Sequence, residues 1–275
     1  MPRAFQFDRI GYWSEIKLEI LKKYAAAYST ILTAQKTLYH VYIDAFAGAG
    51  VHIAKATNEF VPGSPLNALN VRPPFREYHL IDIDAEKVEN LRKIVGSRKE
   101  VFVYEGDCNQ ILLEEVFPRV EYKDYRRGLC ILDPYGLHLD WKVILRAGQM
   151  KTLDVFLNFP VADINRNVLW RDPEGVDASD IARMSRLWGD ESWREIAYDT
   201  TGNLFGILEK ETNEVVAKAF GERLKHVGGF RRVPDPLPMR NSRGAVVYYL
   251  LFASQVDTAE RIVLDIFNKY RTHGG

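Results

Sequence analysis

The sequence predicts an α/β fold, a doubly wound and mostly parallel sheet carrying a helical insertion. Three observations predict it. Short, nearly continuous apolar runs alternate with helical segments, as they do where strands are covered on both faces. The first of these runs ends in a turn of small residues, "DAFAGAG". Acidic residues stand at the ends of four successive runs, at Asp44, Asp82, Asp107 and Asp133.

Taken in order, Ser14 can cap a helix running to about residue 35, with Leu21, Tyr24, Tyr28 and Leu32 spaced by three and four on one face. A strand at 41–44 comes next, then the glycine turn, and "PGSPLNAL" reads as a loop entering a short helix. Residues 77–84 give a second strand, followed by a helix on which Val88, Leu91 and Val95 share a face. Residues 101–107 give a third strand and 111–116 a helix; "GLCILDPYG" and "LDVFLNFP" are the fourth and fifth strands. From residue 161 to about 221 the pattern is helical, with no clear strand. Trp188 and Trp193 there read as a small core. This stretch is expected to be a helical insertion capping the substrate side of a single domain spanning 1–275. "AVVYYLLFAS" returns to strand character, with "FRRV" as its expected hairpin partner, and a helix near 258–270 closes the chain.

Composition narrows the function classes. Of 275 residues, 47 % are hydrophobic and 27 % charged, the profile of a packed globular protein. Lys+Arg and Asp+Glu both number 37, so any basic surface for nucleic acid must be local. The two cysteines form neither a disulfide framework nor a zinc pattern, and no metal is expected. No apolar run reaches the roughly 18 residues of a membrane helix, and the start of the chain lacks a signal-peptide core. The expectation is a cytoplasmic protein without membrane association.

In an open parallel sheet, ligands sit beyond the carboxyl ends of the strands. Gly48 and Gly50 remove side chains there and let a ligand approach the backbone; the other reading is a tight turn made for sterics alone. The run "GAGVHI" is not a clean G-x-G-x-x-G, which argues against a dinucleotide. Asp44 can accept from a cationic amine, Asp82 can bind a ribose hydroxyl pair, and Asp107 can accept from an adenine amino group. Each acid alone is most often a turn or helix cap. Four on one rim point to a ligand.

"DAFAGAG", "LIDID", "EGD" and "LDPYG" resemble, in order, the motifs of the class I S-adenosylmethionine-dependent methyltransferases, over about residues 41–160 and the closing strands. More narrowly, "YIDAFAGAG", "LDPYGLHLDW", "FLNFPVADINRN" and "MRNSRGAVVYYLLFA" are similar to the bacterial three-Cys-motif partner proteins. The resemblance implies a Rossmann-like sheet of the class I methyltransferase type and S-adenosyl-L-methionine as cofactor. It places the methionine portion at Asp44, Gly48 and Gly50, the ribose at Asp82 and the adenine at Asp107, with Gly106 keeping that wall thin. Asp84 is the alternative to Asp82, although strand alternation favours Asp82. The resemblance also implies a three-Cys-motif protein, encoded nearby, as a partner.

"DPYG" carries the chemistry. Methyltransferases acting on exocyclic amino groups of nucleobases have a (D/N)PP(Y/F/W) turn here. Its acid or amide and a backbone carbonyl accept from the amine, and the aromatic ring stacks on the base. The second proline is missing in this chain, which is closer to the DPFG turn of tRNA guanine-N2 dimethyltransferases. Asp133, Pro134 and Tyr135 are therefore the expected reaction turn; the alternative is a proline turn with Tyr135 packed on a helix. Asn158 is expected either to line the substrate pocket or to cap the segment after the fifth strand. Arg166, Arg240 and Arg243 are expected to meet phosphate, or else to be solvated loop residues. His138 reads as structural. The expected function is methyl transfer to a nucleobase amine in RNA or DNA. The alternative is a methyltransferase-like subunit, cofactor-binding or inactive, of a three-Cys-motif protein. A nicotinamide enzyme ranks third, for want of the third glycine.

Overall fold

A computed structural model describes residues 7–170, 173–199 and 209–271. The chain opens with a two-residue strand, β1 (Arg9–Ile10), and a long helix, α1 (Tyr12–Ala34). The first strand of the main sheet, β2 (Tyr39–Asp44), leads through the glycine turn into a hairpin, β3 (Val51–Ala54) and β4 (Phe60–Pro62), and then α2 (Ser64–Leu69). Next come β5 (Glu77–Asp82), α3 (Ala85–Val95), β6 (Val101–Glu105) and α4 (Cys108–Ile111). They are followed by β7 (Arg126–Leu132), α5 (Trp141–Met150) and β8 (Leu153–Phe159). Beyond β8 lie α6 (Val161–Asn167), α7 (Ala178–Trp188), α8 (Trp193–Ala197), the short strands β9 (Tyr198–Asp199) and β10 (Glu209–Lys210), and α9 (Asn213–His226). The last elements are β11 (Leu237–Arg240), β12 (Val246–Ala253) and α10 (Asp257–Arg271).

The main sheet has seven strands in the order β11-β12-β8-β7-β2-β5-β6. β6, β5, β2, β7 and β8 are parallel; β12 runs antiparallel to β8, and β11 antiparallel to β12. This is the expected doubly wound, mostly parallel Rossmann-like sheet. The order reverses at β2, so the exits of β2 and β7 lie side by side at the switch point where ligands bind.

Strand alternation sorts the core into two faces. In β2, Val41 and Ile43 join the face covered by α5, α7, α8 and α9, while Tyr42 joins the face covered by α1, α2, α3 and α10. Helix α1 buries Ile16, Ile20, Tyr24 and Tyr28 at intervals of four, which is why it lies flat on the sheet. Trp188 and Trp193 are fully buried, and they share one continuous core with the sheet residues Phe159 and Leu157. The insertion is therefore built onto the sheet rather than held away from it. Its expected end at residue 221 falls inside α9, a sheet-covering helix whose Phe220 stacks on Phe159 at 4.7 Å. Residues 171–172 and 200–208 of the insertion lie outside the described residues.

Four local expectations are corrected. Helix α1 starts at Tyr12, with Gly11 at the N-cap and no side-chain cap, and Ser14 sits in the first turn. The glycine turn opens a hairpin that was not expected before "PGSPLNAL": β3 pairs with β4 and, in parallel, with β1. The β-branched residues of "VHI" and the cover given by β1 favour a strand there. The partner of β12 is "LPMR", not "FRRV", which contributes only the bridge Arg232–Ser254. Pro238 is tolerated because β11 is the sheet edge. The insertion also contains a short strand pair, β9 with β10. Both cysteines are free and buried. Among the described residues, no helix is long and apolar enough to cross a membrane.

Candidate active site

The carboxyl ends of the parallel strands open into two adjoining cavities of about 400 and 500 Å³, which share Phe46 and Tyr135. The smaller is walled by the exits of β5 and β6 and by the loop after β7. Asp82 lies at its floor. Its Oδ2 accepts from the Gly48 N–H at 2.7 Å and its Oδ1 from the Asp84 N–H at 2.9 Å, leaving a lone pair on each oxygen. Asp84 instead caps α3, accepting from the Glu86 and Lys87 N–H groups, so Asp82 is the one that faces the cavity. Ile83, 76 % exposed, offers an apolar surface beside it.

Gly106 bends the opposite wall at φ +144°, donates to the Asp82 carbonyl, and leaves the wall no side chain. Asp107 caps α4 through Oδ1, which also accepts from the Asn109 amide. Asn109 ties the turn after β6 to the loop after β7. It donates to Asp107 and to the His138 carbonyl and accepts from the Asp140 N–H, each within 2.9 Å. Arg186, from α7, reaches this cavity from the insertion.

The larger cavity lies over the exits of β2, β7 and β8. Gly48 lines it at φ +63°, and a methyl group there would meet nothing closer than 3.9 Å, so the backbone is open to a ligand. Asp133, Pro134 and Tyr135 enter it from the turn after β7, and Asn158 and Arg166 from β8 and α6. Tyr135 is 63 % exposed, so its ring keeps surface open to a ligand. The Lys87 ammonium lies 5.4 Å from its ring centroid and 2.7 Å from Asp8.

Lys17 of α1 reaches the same cavity and pairs with the Asp133 carboxylate. Its side chain is only 11 % exposed. Burial is the largest single influence and acts to lower its pKa, but the Asp133 charge and hydrogen bond together with Tyr248 and Tyr135 outweigh it, and the net direction is upward. Its ammonium also lies 5.2 Å from the Tyr248 ring centroid.

Among the described residues, five buried side-chain atoms have no hydrogen-bond partner, and three of them belong to residues lining this cavity: His52 Nδ1, Asn158 Oδ1 and Asp163 Oδ2. Asp163 Oδ2 lies 3.8 Å from the Arg183 guanidinium; buried polar atoms are rarely left unpaired, so those of His52 and Asn158 point to a polar ligand.

Four predicted site residues stand elsewhere. Asp44 is fully buried behind the cavity wall, accepting from Tyr42 and the Phe46 N–H. Burial pushes its carboxyl up to about 6, despite these bonds and one from Ser64. Strand parity with Tyr42 turns it toward α1 and α2 rather than outward. Gly50, at φ +82°, does not line the cavity; a Cβ there would strike Leu66, Leu91 and Ile94 at 2.9–3.3 Å, so the glycine serves helix packing. Arg240 pairs in register with Val246 and donates to the Gly244 carbonyl, and Arg243 is exposed in the same hairpin; neither lines the cavity.

Lys17, Phe46, Ile83 and Asn109 were not expected from the sequence. Lys17 had a signal: it interrupts the apolar face in "EIKLEIL", where a buried lysine requires a partner.

No protein-family model and no curated protein matches the chain. Among solved structures, a Legionella pneumophila protein described by the family model DUF519 is 13 % identical over 96 % of this chain and 94 % of its own, with a TM-score of 0.49. The methyltransferase domain of bacterial CtHen1-CN is 10 % identical over 85 % and 99 %, at 0.40. The plantazolicin methyltransferase BamL, solved with a desmethyl analogue and SAH, is 10 % identical over 88 % and 85 %, at 0.38. Likenesses this distant carry neither residues nor an activity over to this chain.

Proposed function

We infer that the protein is an S-adenosyl-L-methionine-dependent methyltransferase acting on an exocyclic amino group of a nucleobase in RNA or DNA. One observation carries this reading: the hydrogen-bond acceptors Asp133 and Asn158 Oδ1 share a cavity with the exposed Tyr135 ring, and that cavity joins the one floored by Asp82. Acceptors beside a stacking surface suit a flat amine, and base stacking on such a ring contributes about 1–3 kcal/mol.

The residues present fit the cofactor. Asp82 has acceptor capacity for a ribose hydroxyl pair, Ile83 and the bare wall at Gly106 suit a flat purine, and Asp107 can accept from its amino group. Gly48 leaves the backbone open for the amino-acid end. When bound, the cofactor supplies an electrophilic methyl group. The chain's own work is positional. Tyr135 stacks the base, Asp133 and Asn158 accept from the amine hydrogens and so direct its lone pair, and Arg166 at the cavity edge meets a phosphate.

The test is transfer of labelled methyl from the cofactor to total RNA and to genomic DNA. The wild type is expected to label base in one of them. Asp133→Ala is expected to lose transfer about a hundredfold while keeping cofactor affinity. Cofactor binding with no label in either nucleic acid would overturn this reading and favour a partner subunit of a three-Cys-motif protein.

A further inference from the structure

We propose that Lys17 and Asp133 together read the Watson–Crick edge of the substrate base, and that this edge carries an amino group beside a ring-nitrogen acceptor, as in adenine or cytosine. The inference rests on the methyltransferase reading above and narrows its substrate.

A carboxylate with both oxygens free can grip two adjacent donors at once. Guanine offers such a pair on its Watson–Crick edge, the N1–H and N2–H groups. In this protein the Lys17 ammonium already sits against Asp133 Oδ2, so a base that gripped both oxygens would bring a second donor up beside that cation. What the pair offers the base is a carboxylate acceptor beside one cationic donor.

The lysine ammonium has three donors and no acceptor. One N–H is used by Asp133, and the charge lies over the Tyr248 ring at 5.2 Å. A further N–H is left for a ligand in the cavity that both residues line. Set against guanine, this N–H would meet the N1–H, donor against donor. Set against adenine or cytosine, it meets N1 or N3, while Asp133 Oδ1 accepts from the neighbouring amine. Asn158, whose Oδ1 has no partner, lines the same cavity.

Lys17 is fixed for this role. It projects from a helix anchored by Ile16, Ile20 and Tyr24, and its side chain is 11 % exposed. Desolvation makes each pairing choice count, because a donor left facing a donor in a buried site has no water to turn to. This reading departs from the guanine pattern that the single-proline "DPYG" turn resembles.

The experiment is methylation of total RNA and genomic DNA with methyl-labelled S-adenosyl-L-methionine, followed by digestion to nucleosides and identification of the product. N6-methyladenine or N4-methylcytosine is expected. N2-methylguanine would overturn this inference and leave the methyltransferase reading standing. Absence of label in any base would overturn both. Lys17→Met is expected to keep cofactor affinity within about twofold and to lose transfer about tenfold or more. Transfer at the wild-type rate by Lys17→Met would also overturn the inference. The identity of the wild-type product stands as a test however well that variant folds.

Discussion

The Gly48 N–H donates to Asp82 Oδ2 across 2.7 Å, tying the glycine turn after β2 to the end of β5. The acid expected to hold the cofactor's ribose is thus also the post that shapes the turn beneath the cofactor's other end. Asp82→Ala would leave the buried Gly48 N–H and the partly buried Asp84 N–H without their acceptor. The expected cost is about 1–3 kcal/mol of stability for each group that water fails to reach. Urea unfolding of the two proteins without cofactor measures it, and an unchanged midpoint would refute the tether.

Gly48 and Gly50 both have positive φ but do different work. Gly48→Ala meets no neighbour closer than 3.9 Å and should cost only the backbone strain, about 1–2 kcal/mol, while placing a methyl in the ligand cavity. Gly50→Ala adds a collision with Leu66, Leu91 and Ile94, worth about 1–3 kcal/mol more. Gly48→Ala is expected to weaken cofactor binding strongly at small stability cost, and Gly50→Ala the reverse. Thermal melts and titration calorimetry on both variants separate the two; the opposite pattern would refute the assignment.

Asp154 is buried at the other end of the sheet, where burial pushes its carboxyl up to about 6 although the Ser254 and Tyr24 hydroxyls donate to it. The folded state keeps the proton to about pH 6, whereas the unfolded chain releases it near 3.8. Between these values the native state binds more protons, so stability falls as pH rises, and the loss is complete above pH 6. At about 1.4 kcal/mol per pH unit across that interval, the loss is about 3 kcal/mol. Asp154→Asn does not titrate. Its stability relative to wild type should therefore improve by a few kcal/mol between pH 4 and 7.5, read by denaturant unfolding; a pH-independent difference would refute the burial account.

Arg166 lines the cavity, whereas Arg243 lies in the outer hairpin. Arg166→Ala is expected to weaken nucleic-acid binding and lower the salt slope by about one phosphate contact, and Arg243→Ala to leave both unchanged. Salt-dependent binding titrations with a labelled single-stranded oligonucleotide distinguish them; equal effects would refute the placement.

The sheet was legible because its strands are short, apolar and bounded by acids and glycines, and Asp82, Asp107 and Asp133 each mark a strand exit. Local rules failed where a distant element decided the outcome. Pairing with β4 and with the distant β1 makes "VHI" a strand, and Lys17, 116 residues before Asp133, puts a cation beside that carboxylate. Asp44 was misplaced for a smaller reason. Its position at a strand end was read correctly, but its parity with Tyr42 turns it inward. Arginines of "MRNSRG" followed the hairpin rather than the motif, because β11 pairs at the sheet edge.

The central claim is that the joined cavities hold S-adenosyl-L-methionine with its ribose on Asp82. Titration calorimetry of the cofactor into wild type and Asp82→Ala tests it most directly. The account predicts saturable one-to-one binding to wild type and at least a tenfold weaker constant for the variant, equivalent to about 1.4 kcal/mol or more. No binding to wild type, or equal affinities for the two proteins, would contradict it.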